Sequence, residues 1–260
     1  EIMDKKPLIF LTNDDGVHAK GLRELMTTLQ PLGRLFVVAP QTAQSGMSHA
    51  ITMTRPLFLQ KLEDTPERIV YSCNGTPVDC VKIAFDYLIS QGERPTLAVS
   101  GINHGANSAI NVLYSGTMGA TIETSFYDIP AIGFSLLNHH EDADFSTACI
   151  YVDRIVRKVM SESIEKPLCL NVNIPNLPAA EIKGIMPCRQ NRGYWREKFE
   201  RRTNPQGRDY YWLSGYFYNT EPEARDTDEW ALNNGYVSIV PIQVDLTHYT
   251  QLEQIRQWNF

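Results

Sequence analysis

The alternation of short apolar runs with amphipathic segments is the feature that most limits how this chain can fold. Residues 7–12 (PLIFLT) and 34–39 (RLFVVA) are apolar runs that predict buried strands. Between them, the apolar residues at positions 22, 25, 26 and 29 predict a helix with one buried face. A strand, a helix and a second strand within about 35 residues predict a βαβ unit, in which a right-handed crossover joins two parallel strands.

The same alternation continues through the first two thirds of the chain. Further strands are predicted at residues 51–54, 56–59, 68–72, 96–100, 131–136 and 168–174, and helices from Thr76 to about residue 90, over 117–126 and over about 145–159. Thr76, Pro77 and Asp79 have the pattern of a capping box with proline at the first helical position. The predicted fold class is α/β: a three-layer α/β/α sandwich with a Rossmann-like, mostly parallel sheet.

The composition changes after about residue 187, where all four tryptophans and seven of the twelve tyrosines lie. The predicted elements there are a β-hairpin formed by residues 193–199 and 209–218, a strand at 236–242 and a terminal helix at 247–258. A hairpin so rich in aromatic side chains needs a surface to pack on. We predict that a second subunit provides it, because interfaces are enriched in aromatics; the alternative is the chain's own core. The predicted domains are a catalytic core, 1–187, and an oligomerisation region, 188–260.

Charge and composition exclude several classes of protein. With 24 basic and 30 acidic residues, the net charge of −6 argues against a nucleic-acid scaffold but allows one small phosphate to bind. No apolar run approaches the roughly 20 residues of a membrane span, and residues 1–6 lack a secretory signal. Five cysteines without a CxxC pair favour reduced thiols over a disulfide framework or a thiolate zinc site. We therefore predict a cytoplasmic protein.

Polar loops that contain glycine follow several of the predicted strands, where open parallel sheets bind ligands. They are residues 13–16, 44–46, 101–107 and 114–117. In the first, Asp14 and Asp15 repel each other unless a cation neutralises them, although Asp-Asp-Gly is also an ordinary turn sequence. Ser45 and Asn103 add a hydroxyl and an amide oxygen at neighbouring strand ends. These hard oxygen donors suit one divalent cation such as Mg²⁺, Mn²⁺ or Ca²⁺.

The segment Ser115, Gly116 and Thr117 predicts a helix start that could bind an anion. Free backbone N–H groups and a partial positive charge lie at such a helix end, although the same pattern occurs as a plain helix cap. A hard cation beside an anion site indicates hydrolysis of a phosphate ester. His104, in the same loop as Asn103, either contacts the phosphate, acts as an acid or makes a local structural hydrogen bond.

Four segments have sequences typical of one family. They are residues 11–16 (LTNDDG), 40–46 (PQTAQSG), 74–81 (NGTPVDCV) and 100–123 (SGINHGANSAINVLYSGTMGATIE). In order and spacing they resemble the SurE family of 5'- and 3'-nucleotidases. The similarity spans about residues 7–175, whereas the region after about residue 187 matches only loosely.

The resemblance implies a metal-dependent phosphomonoesterase that hydrolyses nucleoside monophosphates to nucleoside and phosphate, and sometimes short polyphosphate. It implies a homodimer or homotetramer whose subunits exchange C-terminal segments. The implied ligands of one divalent cation are Asp14, Asp15, Ser45 and Asn103, and we assign catalytic roles to Asp14, Asp15 and Asn103. The predicted phosphate contacts are Ser45, Gly46, Asn107, Ser115, Gly116 and Thr117. One departure is Asn111, where many family members carry aspartate.

Two other kinds of protein also carry acidic residues after the first strand. A phosphoaspartate enzyme of the haloacid-dehalogenase type needs two aspartates two positions apart, whereas Asp14 and Asp15 are adjacent. A receiver-like signalling module, which binds phosphate and Mg²⁺ without hydrolysing a substrate, is much shorter. It would also carry its phosphoacceptor aspartate where the third loop has asparagine. Trapping a phosphoryl-enzyme would favour the first alternative, and labelling by acetyl phosphate the second.

Overall fold

A nine-stranded sheet forms the centre of the protein, in the order β3-β4-β2-β1-β5-β6-β7-β11-β8. The structure, a computed structural model, describes residues 6–259; residues 1–5, which the secretory-signal prediction includes, lie outside that range. The strands are β1 Leu8–Thr12, β2 Arg34–Pro40, β3 Leu59–Asp64, β4 Arg68–Cys73, β5 Leu97–His104, β6 Ala131–Leu136, β7 Cys169–Ile174, β8 Gly184–Pro187, β9 Tyr194–Thr203, β10 Asp209–Tyr218 and β11 Tyr236–Pro241. The α-helices are α1 Lys20–Leu29, α2 Pro77–Ser90, α3 Gly116–Ser125, α4 Ser146–Ser161, α5 Asp228–Asn233 and α6 Tyr249–Ile255.

Six neighbouring strands of the sheet, from β4 to β7, are mutually parallel. The strands β3 and β11 run antiparallel to their neighbours β4 and β7. The parallel strands β1, β2 and β5 therefore end at the same edge, and the loops that follow them meet there. This edge is where ligands bind in open α/β sheets.

The sheet is covered on both faces, which explains why its central strands are continuous apolar runs. Ile9 and Leu11 of β1 pack in the core formed with α1 and α4. Leu8 and Phe10 point the other way, into the core formed with α2. There the rings of Phe10 and Phe85 meet edge to face, with their centroids 5.2 Å apart. The predicted three-layer α/β/α sandwich is confirmed.

The segment between β2 and β4 differs from the prediction. Strands predicted at 51–54 and 56–59 are wrong, since both segments are irregular apart from Leu59, the first residue of β3. The backbone N–H of Thr52 donates to Asp79 Oδ1 at 2.9 Å and so joins no strand ladder. The strand here is β3, a mostly exposed edge strand whose polar sequence has no apolar run. The four-residue strand β8 was not predicted either.

The C-terminal region contributes to two separate structures. β9 and β10 pair over ten residues as an antiparallel hairpin, a two-stranded sheet of its own. Its large apolar side chains are mostly exposed, among them Phe199, Tyr211 and Trp212. By contrast, β11 lies inside the large sheet, between β7 and β8. The division into domains at residue 187 stays a prediction.

Two further observations bear on the expected class of protein. Within residues 6–259, no helix has both the length and the apolar character that crossing a membrane requires. All five cysteines lie in the described part of the chain and carry free thiols.

Gly21 brings α1 close to the end of β5, and we expect its replacement by alanine to destabilise the fold. A β-carbon at position 21 would clash with the main-chain carbonyl oxygen of Ile102, which precedes Asn103. Because backbone cannot yield as a side chain can, Gly21→Ala should lower the free energy of unfolding by about 1–3 kcal/mol. This outweighs the gain of up to about 1 kcal/mol that alanine brings to a helix. Urea unfolding measures the change. The control Thr27→Ala, exposed on the same helix, should stay within about 0.5 kcal/mol of wild type, and an equally stable Gly21→Ala variant would contradict the packing argument.

Candidate active site

Asp14 joins three of the four predicted loops at the edge of the sheet. It follows β1 and is buried, with 4% of its surface exposed. Thr117 Oγ1 donates to Asp14 Oδ1 at 2.6 Å, although the two residues are 103 positions apart. The backbone N–H of Gln44 donates to the Asp14 carbonyl oxygen at 2.7 Å. These contacts bring the loop that carries Ser45 and the first turn of α3 against the end of β1.

Burial and a like charge raise the pKa of Asp14 to about 6. Desolvation is the larger cause and the adjacent charge of Asp15 the second, while hydrogen bonds from Thr117 act in the opposite direction. A carboxylate in this position is unfavourable without a compensating positive charge. A bound cation would supply that charge.

Asp15 and His104 connect the first loop to the third. The backbone N–H of His104 donates to Asp15 Oδ2 at 3.2 Å, and its Nδ1 lies 3.1 Å from the same oxygen. Next to it, buried Asn103 donates through Nδ2 to the Gly105 carbonyl oxygen at 2.8 Å. The amide oxygen of Asn103 is not used in that contact, so it is the atom that could bind a cation.

Asp15, Ser45 and His104 line one cleft beside α1, with a volume of about 580 Å³. Ser45 is exposed on its loop, and Gly46 next to it has a positive φ of 74°. The other polar side chains of the cleft are His18, Lys20, Arg23, His139 and Glu141. Two of the four predicted oxygen donors, Asp15 and Ser45, therefore face a space large enough for a small ligand, whereas Asp14 and Asn103 are buried behind them.

The first turn of α3 lies against Asp14. A β-carbon at Gly116 would come within 2.9 Å of the Asp14 Cβ, so glycine permits this close approach. Ser115 caps the helix, because its Oγ accepts the Met118 N–H at 3.0 Å. The hydroxyl of Thr117 is held by Asp14. Within residues 6–259 the Gly116 N–H has no acceptor, as expected for the first turn of a helix, and it could bind an anion.

Asn107 lies in a buried network of polar side chains that the sequence did not indicate. Its backbone N–H donates to Asn173 Oδ1 at 2.7 Å, and its Nδ2 donates to Ser135 Oγ at 2.8 Å. Asn171 Nδ2 donates to the Asn107 carbonyl oxygen at 2.8 Å. Since its amide nitrogen already has a partner, Asn107 orders the loop before α3, and its predicted contact with phosphate stays a prediction.

Glu123 holds the Ser45 loop against α3, and sequence reasoning missed it. His49 Nε2 lies 2.8 Å from Glu123 Oε2, and Lys82 Nζ lies 2.6 Å from Oε1. Burial alone would raise the pKa of Glu123, but the hydrogen bonds from these two partners outweigh it and lower the pKa. No local pattern around His49 indicates a partner 74 residues away.

Asn111 links the site region to the hairpin. Its Oδ1 accepts the indole N–H of Trp195, near the start of β9, at 2.7 Å. An aspartate at this position would also offer an acceptor oxygen there. Asn111, which stands where many family members carry aspartate, therefore makes a contact that aspartate could also make.

The four predicted ligands fit a hard cation by their chemistry. Two carboxylates, a hydroxyl and an amide oxygen are the donor types that Mg²⁺ and Mn²⁺ prefer. Among residues 6–259 there is no metal-binding group of three or more His, Cys, Asp or Glu, so the set depends on Ser45 and Asn103. The burial of Asp14 next to the charge of Asp15, which raises the pKa of Asp14, favours a cation.

The fold and this edge define a class: α/β/α sandwich proteins whose site combines an acidic pair after the first strand with a helix N-terminus. Residues 9–197 match the family described as survival protein SurE. The chain is 50% identical over 257 residues to a protein of Christiangramia forsetii and 49% identical over 257 residues to one of Flavobacterium johnsoniae, each named 5'-nucleotidase SurE; both matches cover 98% of either chain. The crystal structure of the SurE protein from Aquifex aeolicus superposes with a TM-score of 0.82 at 37% identity, covering 96% of this chain and 98% of that one.

The chain belongs to the SurE family. The resemblance inferred from the four sequence segments is confirmed, and the matches extend beyond the core into the C-terminal region. The two alternative families, haloacid dehalogenases and receiver modules, are excluded as assignments for this chain.

Proposed function

We propose that this chain is a metal-dependent 5'-nucleotidase that hydrolyses nucleoside monophosphates to nucleoside and phosphate. The observation that carries the proposal is the contact between the acidic pair and the start of α3, where Thr117 donates to Asp14. This contact sets cation ligands and anion donors side by side, as a phosphate ester requires. The names of relatives that match almost the whole chain support the same activity.

Each part of the site has a role in the proposed reaction. Asp14, Asp15, Ser45 and Asn103 would hold the cation, which when bound polarises a phosphate oxygen and lowers the pKa of a water. The Gly116 N–H at the first turn of α3 would bind a phosphoryl oxygen and stabilise the charge that develops on it; loss of one such donor typically costs about 3 kcal/mol. The buried contacts of Asp14 with Thr117 keep that carboxylate in place during turnover.

The proposal extends to related substrates and to assembly. A 3'-phosphate and the end of a short polyphosphate present the same terminal phosphoryl group, so we include both as substrates. The exposed aromatic side chains of the β9–β10 hairpin support a homodimer or homotetramer in which a second subunit covers them. A cytoplasmic location stays a prediction. The five free thiols support it.

Removal of divalent metal should abolish hydrolysis. We expect dialysis against EDTA to reduce the release of phosphate from 5'-AMP, 5'-GMP, 5'-CMP and 5'-UMP to background, because the proposed reaction depends on the bound cation. Mn²⁺ or Mg²⁺ should restore it. The assay measures inorganic phosphate across this panel, the corresponding 3'-nucleotides and tripolyphosphate.

Two controls accompany this assay. Treatment with EDTA followed by excess Mg²⁺ shows whether the loss is reversible, and circular dichroism shows whether the chelated protein stays folded. Undiminished hydrolysis in EDTA would contradict the metal dependence. A folded, metal-loaded protein that cleaves none of the phosphates would contradict the proposed activity itself.

A further inference from the structure

His104 makes a paired contact with one oxygen of Asp15. Both its backbone N–H and its ring Nδ1 approach Oδ2, at 3.2 and 3.1 Å. Asp15 Oδ1 accepts no hydrogen bond within residues 6–259. Asp15 Oδ2 is therefore held by the protein, whereas Oδ1 has no hydrogen-bond donor within the described residues.

The rest of the His104 residue is held firmly. Its backbone belongs to β5, where it pairs with Leu136 of β6. Its ring packs edge to face on buried Phe145, with the centroids 5.0 Å apart. The side chain is only 15% exposed. A donor on such a rigid support can fix the orientation of the group that it contacts.

The hydrogen-bonding pattern defines which ring nitrogen carries the proton. Asp15 Oδ2 can only accept, so Nδ1 must be the donor. Nε2 is buried and has no partner within the described range, so it gives the ring no competing orientation.

We propose that His104 is a positioning residue for Asp15: by holding Oδ2 it leaves Oδ1 for the divalent cation. This inference rests on the proposed function, because it concerns a ligand of the proposed metal. Its role is distinct from contact with the phosphate and from proton donation. Histidines that bind metals are commonly oriented by a carboxylate, and here the histidine orients the carboxylate.

Binding of Mn²⁺ to three variants tests the proposal. His104→Ala and His104→Phe remove the ring donor and should weaken binding about 10- to 100-fold, the usual effect of losing an outer partner of a metal ligand. His104→Asn keeps an N–H donor near the position of Nδ1 and should bind within about threefold of wild type. His140→Asn, at an exposed histidine outside the lining of the cleft, is the matched control and should bind as wild type does. Electron paramagnetic resonance of free Mn²⁺ gives the dissociation constants without any assay of activity.

The outcomes separate this inference from the proposed function. If wild type binds no Mn²⁺, the proposed function fails as well. If wild type binds and the alanine and phenylalanine variants bind as tightly, only the role of His104 is overturned. An asparagine variant that is folded by circular dichroism but binds as weakly as the alanine variant also overturns it, because the donor would then not be the cause. High Mn²⁺ should restore most of the kcat of His104→Ala, and failure to do so would contradict an effect through affinity.

Discussion

Asp14→Asn should lose at least about a hundredfold in kcat/KM for 5'-AMP while it keeps the fold. Asparagine has nearly the same shape and can still accept the Thr117 hydroxyl, but it removes the charge that a cation would bind. Losing an outer partner of a metal ligand already costs 10- to 100-fold, and loss of a ligand should cost more. Steady-state kinetics at a fixed Mn²⁺ concentration measure the effect, with circular dichroism as the test of folding.

Asp153→Asn is the matched control for that variant. Asp153 lies on α4 and pairs with Arg157 at the surface, so its replacement should leave kcat/KM unchanged. The assignment of Asp14 would be contradicted by full turnover of Asp14→Asn in buffer that contains only trace divalent metal.

Asp14→Asn should also stabilise the metal-free protein at neutral pH. The pKa of Asp14 is raised to about 6 in the folded chain, against 3.8 as its ordinary value. The folded state therefore favours the protonated acid, and this stabilisation is full below about pH 4 and is lost as the pH rises through about 6. This difference between the two pKa values corresponds to about 3 kcal/mol. In EDTA at pH 8, Asp14→Asn should exceed wild type by up to that amount, and the difference should vanish near pH 4.

Metal should reverse this order. At 1,000 times its dissociation constant, Mn²⁺ adds about 4.1 kcal/mol to the free energy of unfolding of wild type and little to that of the variant, which is more than the deficit of about 3 kcal/mol. Urea unfolding at pH 4 and pH 8, in EDTA and in Mn²⁺, measures all these values. Wild type more stable than the variant in EDTA at pH 8, or equal stabilisation of both proteins by Mn²⁺, would contradict the burial of an uncompensated carboxylate.

The parts of the fold that were predicted are those whose signal is local. β1 and β6 are buried on both faces, so each is a continuous apolar run. The start of α2 was predicted from the capping-box pattern of Thr76 and Asp79. In the structure these two residues form both hydrogen bonds of the box, at 3.1 and 2.8 Å. The edge strand β3 was missed because its sequence is polar and its side chains are mostly exposed. The strand β8 was missed because four residues are too few to show a strand-like alternation of apolar and polar side chains.

In the candidate site, too, only the features with a local sequence signal were predicted. Asp14, Asp15, Ser45 and Asn103 could be placed at one edge of the sheet from the sequence because each follows a predicted strand, and parallel strands end at one edge. Their role as metal ligands stays a prediction. The partners of these residues were not found. The Asp14–Thr117 and Asp15–His104 contacts span 103 and 89 positions, and no local pattern encodes such a pairing. The polar network around Asn107 was missed for the same reason.

A crystal structure of the protein grown with MnCl₂, with anomalous scattering from manganese, would locate the proposed metal. We expect one strong anomalous peak bound by oxygens of Asp14, Asp15, Ser45 and Asn103, at the edge of the sheet where α3 begins. An anomalous map without a peak between the two carboxylates, from crystals of an active protein, would contradict the proposed metal site.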